Sequence, residues 1–242
     1  TMTLGSGSVT PLQMAAAYAV FANGGYKVAP HLIQKITDSR GNVLQEAPQP
    51  PVRQDEQRVI DGRNAFIIDS MLREVAHTGT GALAGQRLGR PDVAGKTGTT
   101  SDAFDGWFAG YTRELVCVVW IGFDDNTDIG VTGGSTAALI WADFMTRALQ
   151  LRPEMEGAFE SPTEGLVTMY IDPLTGQPAQ TDTPGARAEL FLTGTENGDA
   201  QPFQPERSSP PPSYPEYRPS ASDSINTTTA DVSPPPNARE LN

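Results

Sequence analysis

The chain has 242 residues, which is enough for one large domain or two modest ones with a buried core. A formal net charge of −12 disfavours binding to nucleic acid, because proteins that neutralise phosphates present clustered Lys and Arg. Cys117 is the single cysteine, so an intrachain disulfide and a thiolate metal cluster are excluded, and no stretch approaches the roughly 18 apolar residues of a membrane span.

The first predicted element is a helix that starts at Pro11. Thr10 can accept hydrogen bonds from the free amides of the first turn, and proline suits the first helical position. Gly24 or Gly25 suits the left-handed exit of the helix. The alanines between these signals predict close packing of the helix against a neighbour.

Strand and helix patterns alternate in the next part of the chain. A small hairpin is predicted at 32–44 around the turn 39–42, and the proline-rich segment 47–51 then breaks regular structure. From Asp61 to about Ala76, apolar residues recur at helical spacing, with Asp61 as the cap. The glycines of segment 78–81 end this second helix.

Three strands are predicted next, at Val93–Thr99, Gly106–Tyr111 and Leu115–Phe123. The third strand is apolar on both faces. Such a strand is typical of the centre of a sheet that is covered on both sides. We therefore expect these three strands to form one sheet with the third in the middle.

After the glycine-rich loop 130–134, the segment Ser135–Leu149 has one apolar stripe and is predicted to be a helix. Two strands at 167–172 and 188–192 are expected to pair as a small β appendage. From 199 onward, ten of 44 residues are Pro and apolar side chains are sparse, which predicts disorder.

The predicted fold class is therefore mixed α/β (α+β), with an antiparallel β-sheet flanked by helices, a small β appendage and a disordered tail. The expected boundaries are 1–152 for the helix and sheet domain, 153–198 for the β appendage and 199–242 for the acidic tail rich in Pro and Ser.

The segment 94–100, Ala-Gly-Lys-Thr-Gly-Thr-Thr, carries the sharpest chemical signal. The chain has three lysines, and Lys96 lies between glycines and is followed by hydroxyls at alternate positions. Alternation on a strand places Thr97 and Thr99 on one face and Lys96 on the other or at a cleft edge. Gly98 leaves room for a ligand to lie along the backbone.

Two other interpretations of this segment are weighed. A phosphate-binding loop would need a glycine at position 90, which is Arg90, and a helix directly after the motif. The plainer alternative makes Lys96 a solvated charge on an edge strand.

The acidic turn at 124–130 is interpreted as a strand end and not as a calcium loop, and we expect neither a metal nor a cofactor.

The motif and its surroundings resemble a known family. K-T-G followed by Thr is one of three motifs of penicillin-binding proteins and serine β-lactamases. Further segments are similar to the bifunctional class A penicillin-binding proteins, of the 1A type, through about Thr195. These segments are 4–14, 18–26, 93–100, 105–112 and 119–122.

This resemblance implies that the chain is the C-terminal part of a peptidoglycan transpeptidase domain, which transfers acyl groups from D-Ala-D-Ala stem peptides through a serine. It implies catalytic roles for Lys96 and Thr99, the latter through its backbone amide. It also implies that Thr97, Gly98, Thr99 and Trp107 bind the stem peptide or a β-lactam. The implied location is the periplasmic face of the bacterial inner membrane, with the membrane anchor and glycosyltransferase in the parent protein.

The chain lacks the other two motifs of the family. No serine precedes any of the three lysines by three residues, so no S-x-x-K nucleophile exists, and S-x-N occurs only at 224–226 in the tail. We therefore expect the chain to be inactive alone and to need the upstream half of the same domain as a partner. The alternatives are a non-catalytic binding or structural module, and a phosphate-loop nucleotide-binding enzyme.

Overall fold

A computed structural model describes residues 7–47, 58–159 and 161–195. The predicted break at 48–51, the tail at 199–242 and segment 4–6 of the resemblance lie outside these residues. Among the helices that are described, none combines the length and apolar character that crossing a bilayer requires.

Helix α1 (Pro11–Ala22) begins as predicted. Thr10 Oγ1 accepts a hydrogen bond from Gln13 N at 3.2 Å, and Gln13 Oε1 accepts one from Thr10 N at 2.8 Å. This reciprocal capping satisfies two amides that have no partner inside the helix. At the other end, Gly24 and Gly25 adopt φ angles of 71° and 100°, which confirms the predicted left-handed exit.

The remaining elements follow in chain order, and most of them match the predicted segments. After the exposed hairpin of β1 and β2 come two helices, three strands, a π-helical turn, a further helix and a terminal strand pair. They are β1 (Lys35–Thr37), β2 (Val43–Glu46), α2 (Gly62–His77), α3 (Ala82–Leu88), β3 (Ala94–Thr99), β4 (Asp105–Tyr111), β5 (Val116–Gly122), the π-helical turn Gly133–Ala137, α4 (Ala138–Leu151), β6 (Leu166–Ile171) and β7 (Arg187–Leu192).

The central sheet is antiparallel, with strand order β3-β4-β5. The prediction that Leu115–Phe123 takes the middle of the sheet is wrong, because β4 lies in the middle and β5 lies at an edge in the described part of the chain. Both faces of β5 are nevertheless covered, by α1 on one side and by α4 on the other. The apolar residues on both faces of β5 therefore indicate that helices cover both faces, and they do not indicate where the strand lies in the sheet.

The two faces of the sheet pack against different helices. On one face, Phe108 lies 5.1 Å from Trp141 of α4, ring centre to ring centre, and the Trp141 Nε1 donates to Gly110 O at 3.2 Å and Cys117 O at 3.1 Å. On the other face, Tyr18 of α1 packs edge-on to Tyr111. The mixed α/β fold with an antiparallel sheet flanked by helices is thus confirmed.

The β appendage is an antiparallel pair of β6 and β7, as predicted. Arg187 at the start of β7 lies 3.5 Å from the Glu74 carboxylate on α2, which links the pair to the helix. The short helix α3 was not predicted.

Candidate active site

An open groove of about 1030 Å³ lies between the start of α1 and the strand β3. Its walls come from three parts of the chain: the residues around the first turn of α1, the segment from Lys96 to Asp105, and two tryptophans of the sheet. The lining includes Ser8, Lys96, Thr97, Gly98, Thr99, Ser101, Asp102, Asp105, Trp107 and Trp120.

Strand β3 holds the predicted motif as an ordinary extended segment. Lys96 pairs with Ala109 and Gly98 pairs with Trp107 across the ladder to β4. Lys96 and Gly98 therefore share one face of β3 and Thr97 and Thr99 share the other, and all four residues line the groove. Gly95-Lys96-Thr97 thus lies inside an antiparallel ladder, which contradicts the phosphate-loop alternative because such a loop must open a helix.

The Lys96 ammonium turns back onto its own strand. Its Nζ donates to Thr97 O at 2.9 Å and lies 3.4 Å from Thr97 Oγ1. Lys96 is the one basic side chain among the described residues that line the groove, whereas Asp102 and Asp105 contribute carboxylates.

Two contacts behind the motif strand involve residues that were not predicted to belong to the site. Thr80, in the loop between α2 and α3, places its Oγ1 2.8 Å from Thr97 Oγ1. Gly133 N, at the start of the π-helical turn, donates to Thr99 Oγ1 at 3.1 Å. Both hydroxyls of the motif are therefore held from behind.

Gly133 itself fits only because it has no side chain. A Cβ at this position would lie 2.2 Å from Trp107 O and 2.3 Å from Gly98 O. The start of the helical segment thus packs directly on the backbone of β3 and β4. The sequence signal for this contact was the glycine-rich loop 130–134, which was interpreted as a connection.

The outer edge of β3 has backbone groups that no strand of the described chain pairs with. Thr100 N donates to Asp105 O at 3.2 Å, toward β4. Because successive amides of a strand point in opposite directions, Thr99 N and Thr97 O point away from β4. Among the described residues no strand pairs with this edge, so an extended ligand could add there as a further strand.

Trp107 lies in the groove as predicted, and it has an aromatic partner that the sequence did not indicate. The ring centres of Trp107 and Trp120 are 6.3 Å apart, and Trp120 Nε1 donates to Asp105 Oδ1 at 2.6 Å. Trp120 was predicted to be buried in a central strand, but the residue is 40% exposed and lines the groove beside Trp107.

Two serines, Ser8 and Ser101, line the groove. Neither makes a hydrogen bond to a basic side chain in the described ranges, and the residues three positions later are Pro11 and Phe104. No group of three or more His, Cys, Asp or Glu side chains converges to hold a metal within those ranges. The groups of the groove that can bind an anion or an extended peptide are the Lys96 ammonium, the hydroxyls of Thr97 and Thr99, and the outer backbone edge of β3.

Comparisons with known proteins agree with this arrangement. The profile of the penicillin binding protein transpeptidase domain matches residues 1–146. Penicillin-binding protein 1A of Pseudomonas aeruginosa is 38% identical over 89% of this chain and 31% of its own length. Penicillin-binding protein 1A of Neisseria lactamica is 44% identical over 63% of this chain and 19% of its own length.

The fold is shared as well. The crystal structure of penicillin-binding protein 1A from Haemophilus influenzae matches with a TM-score of 0.68 and 34% identity, over 81% of this chain and 34% of that one. The chain thus spans about a third or less of the length of these relatives. It belongs to the penicillin-binding protein transpeptidase family, as a class A transpeptidase region of the penicillin-binding protein 1A type.

Proposed function

We propose that this chain forms one wall of the active site of a peptidoglycan D,D-transpeptidase, a serine-type acyltransferase that cross-links stem peptides and binds β-lactams. Segment 1–152 is the C-terminal portion of the transpeptidase domain, 153–198 is a β appendage and 199–242 is a tail. The parent protein is bifunctional, anchored in the bacterial inner membrane, and acts at its periplasmic face.

The observation that carries this proposal is the donor set at the edge of β3. The terminal carboxylate of a stem peptide or a β-lactam would meet the Lys96 ammonium and the hydroxyls of Thr97 and Thr99. Charge-assisted hydrogen bonds of this kind are about twice as strong as neutral ones. The helical segment that starts at Gly133 adds the positive end of its dipole behind Thr99.

The Thr99 amide is the proposed oxyanion donor. It points out of the sheet at the free edge of β3, where the carbonyl of an added peptide strand would lie. Removal of one such donor typically costs about 3 to 4 kcal/mol of transition-state stabilisation. Trp107, beside Gly98, gives the bound peptide an apolar surface.

The nucleophile is proposed to come from the upstream half of the same domain. In the described part of the chain, the second edge of β5 is unpaired, although the strand reads Val-Cys-Val-Val-Trp-Ile-Gly. An apolar edge strand of seven residues is a ready template for another strand. The S-x-x-K motif of that half is proposed to lie at the groove beside Lys96.

Covalent labelling by a fluorescent penicillin tests the proposal. We expect no boil-resistant labelling of the isolated 242-residue chain. Co-expression with the S-x-x-K half of the P. aeruginosa relative is expected to give a complex that is labelled on that half. In this complex, Lys96→Ala should slow labelling by about 100-fold or more, since a positioned proton-transfer group contributes about that much.

Lys35→Ala is the matched control, because Lys35 is an exposed lysine on the hairpin of β1 and β2 and is far from the motif in sequence. Stoichiometric labelling of the isolated chain would contradict the expectation that this chain lacks the nucleophile. A labelled complex that tolerates Lys96→Ala would contradict the role of β3. A complex that assembles but is never labelled would favour the non-catalytic module.

A further inference from the structure

We propose that Thr80 is a positioning residue of this site, which orients the Thr97 hydroxyl so that Thr97 donates its proton to the carboxylate of the ligand. The inference rests on the proposed function. It extends the anion site to a residue that lies outside the motif and that donates to no part of the ligand itself.

Two neighbouring groups determine the donor and acceptor roles of Thr97 Oγ1. A threonine hydroxyl has one proton and two acceptor lone pairs, whereas an ammonium group only donates. Lys96 Nζ lies 3.4 Å from Thr97 Oγ1 and can therefore only donate to it. Thr80 Oγ1 lies 2.8 Å from the same atom, and either of these two hydroxyls can be the donor.

An anion in the groove decides the direction of this second bond. If Thr97 donated to Thr80, it would have no proton for the ligand, and the lone pairs of Thr97 would face the carboxylate. If Thr80 donates to Thr97, both lone pairs of Thr97 are used and its proton is available to the anion. A hydrogen bond to a carboxylate is about twice as strong as one between neutral hydroxyls, so the bound state favours the second arrangement.

The loop around Thr80 is fixed well enough to support such a role. Gly79 and Gly81 flank Thr80, and a Cβ at Gly81 would lie 3.2 Å from both the Phe108 ring and Val75 O. The Thr80 carbonyl packs against Gly134 of the π-helical turn, where a Cβ would lie 2.9 Å from it. The backbone of Thr80 is thus held between α2 and the start of the helical segment, and its hydroxyl contacts Thr97 from there.

The chain that results runs from Thr80 through Thr97 to the ligand, with Lys96 as a second donor to Thr97. Hydrogen bonds in such a chain polarise and strengthen one another. Loss of the first donor removes one neutral hydrogen bond, which corresponds to a reduction in affinity of about 3- to 10-fold.

Binding to the 242-residue chain tests the inference without the nucleophile. N-acetyl-D-Ala-D-Ala and its C-terminal carboxamide are titrated into the wild type and the variants, and dissociation constants are taken from NMR shifts. For Thr80→Val we expect binding of the carboxylate to weaken by about 3- to 10-fold and binding of the carboxamide to stay within about twofold. Thr80→Ser, which keeps the hydroxyl, should restore the affinity for the carboxylate.

Thr78→Val is the matched control. Thr78 lies in the same loop, but its hydroxyl bonds to Glu74 and not to the motif strand. Equal or tighter binding of the carboxylate by Thr80→Val would overturn the inference, as would an equal loss for both ligands, which indicates a merely structural role. Absence of carboxylate binding by the wild type would instead overturn the proposed function, and this inference with it.

Discussion

Asp69 is a buried carboxylate in the middle of α2, and its titration should set how the stability of this region depends on pH. Its side chain is 2% exposed, Oδ2 accepts a hydrogen bond from Arg73 Nε at 2.9 Å, and the buried Tyr111 hydroxyl faces the same carboxylate. Burial raises the pKa of the Asp69 carboxyl to about 6, against the opposing effect of the Arg73 guanidinium.

The sign follows from where the proton is held. Between a pKa of 3.8 in the unfolded chain and about 6 in the folded chain, the folded state retains a proton that the unfolded state has lost. The folded state is therefore favoured at low pH, and this contribution is lost as the pH rises through about 6. The full shift corresponds to about 3 kcal/mol, of which about 1.4 kcal/mol is lost between pH 5 and pH 8.

We expect Asp69→Asn to remove this dependence. Urea unfolding of the 242-residue chain, followed by far-UV circular dichroism, gives the free energy of unfolding of both proteins at several pH values. From pH 5 to pH 8, the free energy of unfolding of Asp69→Asn should rise relative to that of the wild type by about 1.4 kcal/mol. Taking the difference cancels the titration of groups that the two proteins share.

Asp61→Asn is the matched control on the same helix. Hydrogen bonds from the Arg63 side chain are the main cause that lowers the pKa of Asp61 to about 2, so this group has finished titrating below pH 5 in both states. The difference in free energy of unfolding between Asp61→Asn and the wild type should stay constant between pH 5 and pH 8. A constant difference for Asp69→Asn as well would refute the reasoning, because the carboxyl would then titrate normally in the folded chain.

Two further predictions concern the packing behind β3, and urea unfolding of the same chain measures both. Gly133→Ala should lower the free energy of unfolding by about 3 kcal/mol or more, because its Cβ meets backbone oxygens of β3 and β4 that cannot move separately. Gly7→Ala, whose Cβ meets nothing within 4 Å, should be neutral, and a small loss at position 133 would contradict the close packing of the helical turn. Trp141→Phe should cost about 2 to 3 kcal/mol, since it leaves a void and removes the donor to Gly110 O and Cys117 O. The exposed Trp120→Phe should cost less than about 1 kcal/mol, and equal losses at the two positions would show that the buried indole bonds contribute little.

The elements that could be predicted from the sequence are those whose signals are local. The start of α1 depends on the capping pair Thr10 and Gln13, which are three residues apart, and the end depends on Gly24 and Gly25. Helix α2 follows from its apolar spacing and its Asp61 cap. None of these signals requires knowledge of a distant part of the chain.

Helix α3 shows what local signals miss. It has seven residues, which is shorter than the window that helical periodicity needs, and it contains Gly85, a poor helix former. Packing explains the glycine, because a Cβ at Gly85 would lie 2.1 Å from Ala76 O of α2. The residue that weakens the helix locally is thus the one that lets α3 and α2 lie in contact.

The candidate site shows the same difference between local signals, which the sequence reveals, and contacts with distant residues, which it does not. Alternation along β3 was enough to place Thr97 and Thr99 on one face, but not to identify Thr80 and Gly133 as their partners. These partners lie 17 and 34 residues away from the hydroxyls that they contact. Trp120 was missed for a related reason, since the pattern of a strand does not show which part of a sheet face the helices leave uncovered.

Gly98 has a second explanation that the sequence did not reveal. It was expected to leave room for a ligand, yet a Cβ at this position would lie 3.2 Å from Trp107 Cβ across the ladder. A side chain at position 98 would therefore press on Trp107 as well as on a ligand. Because Trp107 also lines the groove, a side chain at position 98 would displace the aromatic wall and obstruct the free edge of β3 together. Loss of ligand binding on Gly98→Ala thus cannot be assigned to contact with the ligand alone, whereas Thr80→Val leaves both the edge and the wall in place.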